Sequence, residues 1–240
     1  MTKMNNQPAP VFFQELYGMF SVPITELDCG QKCGPYNDRG VPFCCDIQHT
    51  VPAALEAEWD FLEPRTDLWQ LWEGNSSGEA QELTAELQEG HILLVCQGYQ
   101  HCQRPFRTLS CRAFPFFPYL DLHGNLLGLS YYQDYREECW VISNLEAVTA
   151  QFTEEFNTGF RRLFEVYPRL KDGYQRYSGL IREQSRKAGE RIVLLQPGPR
   201  FFLLDPISEN LQEIEAGSLP AYGAYQIMKD MPFPDELDES

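Results

Sequence analysis

Eight cysteines carry the chemistry this chain can be read for. Cys29, Cys33, Cys44 and Cys45 are spaced C-x3-C-x10-C-C; Cys96, Cys102 and Cys111 follow as C-x5-C-x8-C, and Cys139 trails. Thiolates are soft, anionic ligands, and four of them complete a tetrahedral zinc site or hold an iron–sulfur cluster. Gly30, Gly34, Pro35 and Gly40 lie among the first group, where tight turns let closely spaced sulfurs converge. Two other uses of the same residues stand beside metal ligation: scattered small core side chains and a disulfide framework.

The redox compartment weighs between them. Residues 1–14 are polar and broken by Pro8 and Pro10, unlike the basic and then apolar pattern of an export signal. No stretch approaches the roughly 18–20 apolar residues that span a bilayer. The expectation is a cytoplasmic protein with no membrane partner, in which thiols stay reduced and clustered cysteines mean metal or catalysis. In that setting the glycosylation sequon at Asn75 carries no meaning. The net charge of −16 excludes a nucleic-acid partner, because phosphate binding needs basic patches. Arg182, Arg186, Lys187 and Arg191 form the one basic stretch, read as a solvated helix face.

The metal reading leaves several ligand sets open. Adjacent side chains of an extended chain point to opposite faces, so Cys44 and Cys45 are expected to serve different sites. Eight thiols then make two four-ligand sites, or one site with cysteines to spare. His49, His91 and His101 are possible substitute ligands. Asp46 is read as a turn cap, and Arg107 and Arg112 as cations beside the sulfurs. The spacing matches neither the zinc ribbon nor the bacterial ferredoxin pattern, and no glycine-rich nucleotide loop is present.

The segment Cys111-Arg112-Ala113-Phe114-Pro115-Phe116, preceded by the C-x3-C…C-C group, resembles the YkgJ-type cysteine-cluster family, also described as a zinc- or iron-chelating CxxCxxCC domain. That family closes its second cluster with C-R-x-F-P-F and commonly carries R-P-x-x-C before it. Here Arg107 is kept and Thr108 replaces the proline. The resemblance spans about residues 29–139 and implies a metal-binding protein whose ligands come from Cys29, Cys33, Cys44, Cys45, Cys96, Cys102, Cys111 and Cys139, with zinc or an iron–sulfur cluster as cofactor. A flagellin lysine N-methylase group is related to the family, which makes methyl transfer or redox chemistry the enzymatic alternative. The S-adenosylmethionine radical pattern C-x3-C-x2-C is met only in its first half, by Cys29 and Cys33.

The elements that must hold these residues read as an α+β protein, with 43% hydrophobic residues enough for a real core. Phe12, Phe13, Leu16, Tyr17 and Phe20 sit at helical spacing. The first cysteines are expected in a glycine- and proline-rich loop, followed by two short helices in 52–72 around Pro64. Residues 73–78 read as a polar loop, and a short helix follows to about residue 87. His91 to Cys96 read as a strand, and residues 116–122 and 126–132 as a hairpin around His123-Gly124-Asn125. Ser143 to Glu146 fit a capping box that opens a long amphipathic helix carrying Phe152, Phe156, Phe160 and Phe164. A second helix over about 170–187 and a hairpin of 192–195 with 201–204 complete the pattern. The division expected is a cysteine-cluster domain at 1–142, a helical and hairpin region at 143–234 packed on it, and an acidic tail at 235–240. A protein partner docking on the C-terminal helices is a third, weaker reading.

Overall fold

The computed structural model describes residues 9–74, 78, 82–83, 85, 87, 90–198 and 200–225. The expected short helix before residue 87 and the acidic tail lie largely or wholly outside them. The fold is mixed helix and sheet, as the α+β reading requires. Helix α1 (Ala9–Met19) forms where the aromatic stripe predicts it, and Phe12, Phe13, Leu16, Tyr17 and the following Phe20 are all buried.

Residues 52–72 differ from the two helices expected. They form strand β1 (Ala53–Leu55), a single helix α3 (Glu56–Leu62) and strand β2 (Trp69–Leu71), with helix α2 (Cys29–Cys33) preceding them in the chain. Both strands pair antiparallel with β3 (His91–Cys96), Ala53 opposite Leu93 and Trp69 opposite Cys96. The central strand recruits its neighbours across the chain, a long-range pairing that residue spacing within 52–72 does not encode.

Helix α4 (Leu109–Ala113) leads into strands β4 (Phe116–Leu120) and β5 (Leu126–Tyr131), the expected hairpin. The chain then passes through helices α5 (Trp140–Ser143), α6 (Ala150–Val166) and α7 (Pro168–Ala188) before β6 (Ile192–Gln196), β7 (Arg200–Leu204) and β8 (Leu211–Ile214). These strands make one antiparallel sheet in the order β4-β5-β6-β7-β8, so strands from both sides of residue 142 share it. At Gly128 (φ +152°) an added Cβ would run into the Leu195 carbonyl oxygen, so the β5–β6 junction at Leu129 and Leu195 needs a residue without a side chain.

Alternation gives this sheet two buried faces. Val193, Leu195 and Phe201 join Phe152, Phe156, Phe160 and Leu163 of α6 in the main core. Ile192, Leu194, Phe202 and Leu204 pack instead with Phe117, Tyr119 and Ile181 of α7.

Three local expectations change. The long helix starts at Ala150, where Thr149 Oγ1 accepts the Phe152 N–H at 3.1 Å; Ser143 closes α5, and Leu145–Ala147 is a separate 3-10 turn. Arg182 is buried rather than solvated, donating to the Leu120 carbonyl at 2.8 Å and to Tyr119 Oη at 3.1 Å, and facing Glu209 at 3.3 Å. Arg186, Lys187 and Arg191 keep to the surface, the first two paired with Glu183 and Arg191, beyond the helix, donating to Gln212 Oε1. Strand β8 is exposed along most of its length, so it has no apolar pattern to announce it.

Candidate metal centre

The first cysteine group is held by short turns rather than an irregular loop. The Asp28 carboxylate accepts the Gly30 N–H at 3.1 Å and caps α2, whose ends are Cys29 and Cys33. A 3-10 turn (Gly34–Tyr36) follows directly. Asp46, 2% exposed, accepts from Asn37 Nδ2 at 3.0 Å, Arg39 Nη1 at 2.7 Å and the Gln48 N–H at 3.1 Å. It therefore ties both ends of the segment that presents the 3-10 turn Phe43–Cys45. This is the turn-organising role expected of Asp46.

Within that turn the Cys44 and Cys45 sulfurs lie 3.9 Å apart. The separation of adjacent side chains to opposite faces does not hold here, because the backbone is helical rather than extended. A zinc–sulfur bond of about 2.3 Å puts two sulfurs of one tetrahedron about 3.8 Å apart. The pair fits one edge of such a site.

The second group comes from elsewhere. Cys96 ends β3, and Cys102 follows the turn Tyr99–His101. Arg107 Nε donates to Cys102 Sγ at 3.0 Å. Cys111 lies within α4, which Thr108 caps by accepting the Cys111 N–H at 3.3 Å. Cys139 precedes α5, and α5 packs on α2.

These segments converge. Charge on Cys45 acts on Cys29, Cys33, Cys96 and Cys111; Cys139 acts on Cys44 and is itself acted on by Cys29 and Cys33; Cys102 acts on Cys96. Pairwise charge effects thus link the two cysteine groups, and none of the eight is in a disulfide. Burial pushes Cys111 up to about 12 and Cys33 up to about 11, and raises Cys29, Cys96 and Cys139 as well. Cys44 is raised by its hydrogen bond to Cys45 and then by burial. Cys45 moves down, because of its hydrogen bond with Cys44 and the facing Arg107 cation, against the opposing effect of burial.

Among the described residues, no group of three or more His, Cys, Asp or Glu side chains is arranged so that it could hold a metal ion. The fit to a soft metal is thus one of donor type, number and neighbourhood. His49 faces Glu138 at 3.5 Å and packs edge-on to Phe43; His91 lies in β3 opposite Leu55; His101 ends its turn. None completes a three-donor group.

The two arginines part company. Arg107 faces the sulfurs; Arg112 does not. Its guanidinium donates to the carbonyls of Phe20 (2.6 Å), Pro105 (2.7 Å) and Arg107 (2.9 Å) and lies 4.0 Å over the Tyr17 ring. It fixes the backbone around α4 instead of neutralising thiolates. Beneath it Glu58, 1% exposed, accepts the Tyr17 hydroxyl and the Leu109 N–H, both at 2.6 Å, and so anchors the first turn of the Cys111 helix. Sequence reasoning missed Glu58 because its partners are 41 and 51 residues away.

The Phe152–Phe164 stripe, whose exposure would have favoured a docking partner, is buried. No helix among the described residues is long and apolar enough to cross a membrane. No protein-family model, curated protein or solved structure matches this chain.

Proposed function

We propose that this chain is a metal-binding protein of the YkgJ-like cysteine-cluster kind, holding zinc or an iron–sulfur centre through thiolates drawn from both cysteine groups. The observation that carries the reading is the convergence of Cys29, Cys33, Cys44 and Cys45 with Cys96, Cys102, Cys111 and Cys139 in one neighbourhood beside Arg107. Burial makes free thiols here costly to ionise, as the raised Cys33 and Cys111 values express. A cation that replaces their protons removes that cost, which is how metal binding becomes folding free energy. Cys44 and Cys45 would supply adjacent ligands, the other cysteines further thiolates, and Arg107 a hydrogen bond to Cys102 that orients it and offsets charge. A soft centre of this kind supplies structural cross-linking when all its positions are filled by protein, and electron transfer or Lewis acidity when iron or an open position is present.

Protein isolated without oxygen should contain zinc or iron bound by sulfur. A colourless solution with stoichiometric zinc identifies the closed-shell ion, and a brown chromophore bleached by dithionite identifies iron–sulfur. Because protons must leave, occupancy should fall steeply as pH is lowered. Cys111→Ser should lose metal and melt earlier. Absence of both metals, with all eight thiols freely titratable in folded protein, would remove the proposal.

A further inference from the structure

After β8 and the 3-10 turn Ala216–Ser218, the chain leaves the large sheet and crosses to the cysteine region. Leu219 is buried in the main core. The Tyr222 N–H donates to Ser143 Oγ at 2.9 Å, its hydroxyl meets the Tyr131 hydroxyl at 2.6 Å, and the Arg136 guanidinium lies 5.5 Å from its ring. Gly223 has φ +55°, and an added Cβ would sit 3.0 Å from the Glu137 carbonyl oxygen, so the backbones touch there. Tyr225 comes last. Its hydroxyl donates to the Glu138 carbonyl at 3.0 Å and its ring meets Tyr36 edge-on at 5.6 Å.

Those two partners define what Tyr225 spans. Tyr36 lies in the turn that follows Cys33, and Glu138 immediately precedes Cys139. Tyr225 is 4% exposed and Cys33 6% exposed, Cys139 is half-buried, and charges on Cys33 and Cys139 act on the Tyr225 phenol. We propose that residues 219–225 form a strap that closes over Cys33 and Cys139 and gates access to them, with Tyr225 as the latch between the two cysteine-bearing segments.

Among the described residues, Leu219 and Tyr222 fasten the segment to the core, to Ser143 and to Tyr131, and Tyr225 joins its two partners through a hydrogen bond and a ring contact. A segment joined by such local contacts opens with little cost to the rest of the fold. Opening would bare the two thiols to solvent, to a thiol-reactive molecule or to a metal ion. The gate stands whether or not the thiols hold metal, so its test reads thiol chemistry alone.

Reduced full-length protein is pulsed with iodoacetamide and each cysteine is followed by peptide mass spectrometry. In Tyr225→Ala, labelling of Cys33 and Cys139 should accelerate about tenfold, as expected when a local opening equilibrium loses a buried ring and its hydrogen bond. Cys96 and Cys102 should keep their wild-type rates. Gly223→Ala, which crowds the Glu137 carbonyl without removing a ring, should give the same pattern more weakly, and it decides the matter if Tyr225→Ala does not fold. Unchanged Cys33 and Cys139 rates in folded variants, or a parallel rise at all eight cysteines, would overturn the strap.

Discussion

The large sheet and the first cysteine segment lie in one molecule but are held in different ways. Strands β4 to β7 and helix α6 are packed by apolar side chains almost without exposure, among them Phe117, Tyr119, Phe152, Phe156, Ile192 and Leu195. Between Phe20 and Ala54, by contrast, only Cys33, Pro42 and Pro52 contribute buried apolar side chains, while Thr25, Asn37 and Asp46 are buried polar ones. The sheet half gains its stability from area removed from water. The first cysteine segment has little such area, and rests on Asp46 and on the Tyr225 strap. A region built this way should open locally under conditions where the sheet remains closed.

The largest test of that contrast is Phe156→Ala. The ring is fully buried and packs against Phe20, Phe152 and Phe160, so its removal should cost about 3–5 kcal/mol by denaturant unfolding. Amides of β5 and β6 should then exchange faster, because they open only with the whole fold. Amides of the Phe43–Cys45 turn should hardly change, since they already exchange through local opening. Equal acceleration in both places would show one cooperative unit and break the comparison.

Two buried carboxylates sharpen it by pH. At Asp46 burial opposes ionisation, but hydrogen bonds from Asn37, Gln48 and Arg39 outweigh it and hold the carboxyl below its usual range. Its contribution is therefore present at neutral pH and is lost as pH falls through that lowered value. Asp46→Asn should cost about 1.5–3 kcal/mol at pH 7, the worth of a charge-assisted hydrogen bond, and should flatten the acid-side loss of stability. Glu58 moves the other way: burial raises it despite the Tyr17 and Leu109 hydrogen bonds. Its contribution is greatest below the ordinary carboxylate value and is lost as pH rises through the raised one. Glu58→Gln should therefore compare better with wild type as pH rises, and Asp46→Asn worse, in chemical denaturation from pH 3 to 8. The same sign for both would refute the assignment.

What could be read from residue order divides along the same line as the packing. Helix α1, strand β3, both hairpins of the sheet and the Phe152–Phe164 stripe were legible because a buried face repeats with its own local period. Strands β1 and β2 were not, since their pairing partner lies up to 40 residues away, and β8 was not, since an exposed edge carries no apolar signal. At the candidate centre the residue types and their grouping were legible, and Asp46 as a turn cap with them. The proximity of the Cys44 and Cys45 sulfurs was not, because it depends on a 3-10 turn rather than on spacing. Nor were Glu58, the backbone role of Arg112 or the Tyr225 strap, each defined by contacts from distant parts of the chain.

The smallest expected effect separates two hydroxyls that sequence alone confuses. Ser143 and Thr149 both precede the long helix, and the capping-box pattern favours Ser143. In the fold Thr149 Oγ1 accepts the Phe152 N–H, while Ser143 Oγ accepts the Tyr222 N–H of the strap. Thr149→Ala should thus cost about 1 kcal/mol of global stability, the usual worth of an N-cap, with no change in cysteine labelling. Ser143→Ala should do the reverse: little change in the unfolding midpoint of the sheet, but faster alkylation at Cys33 and Cys139 as the near end of the strap loses a hydrogen bond. The pair places the boundary between the two regions at a single turn of chain. If Ser143→Ala destabilised the fold as much as Thr149→Ala and left thiol labelling untouched, Ser143 would belong to the helix after all, and its hydrogen bond to Tyr222 would play no part in holding the strap.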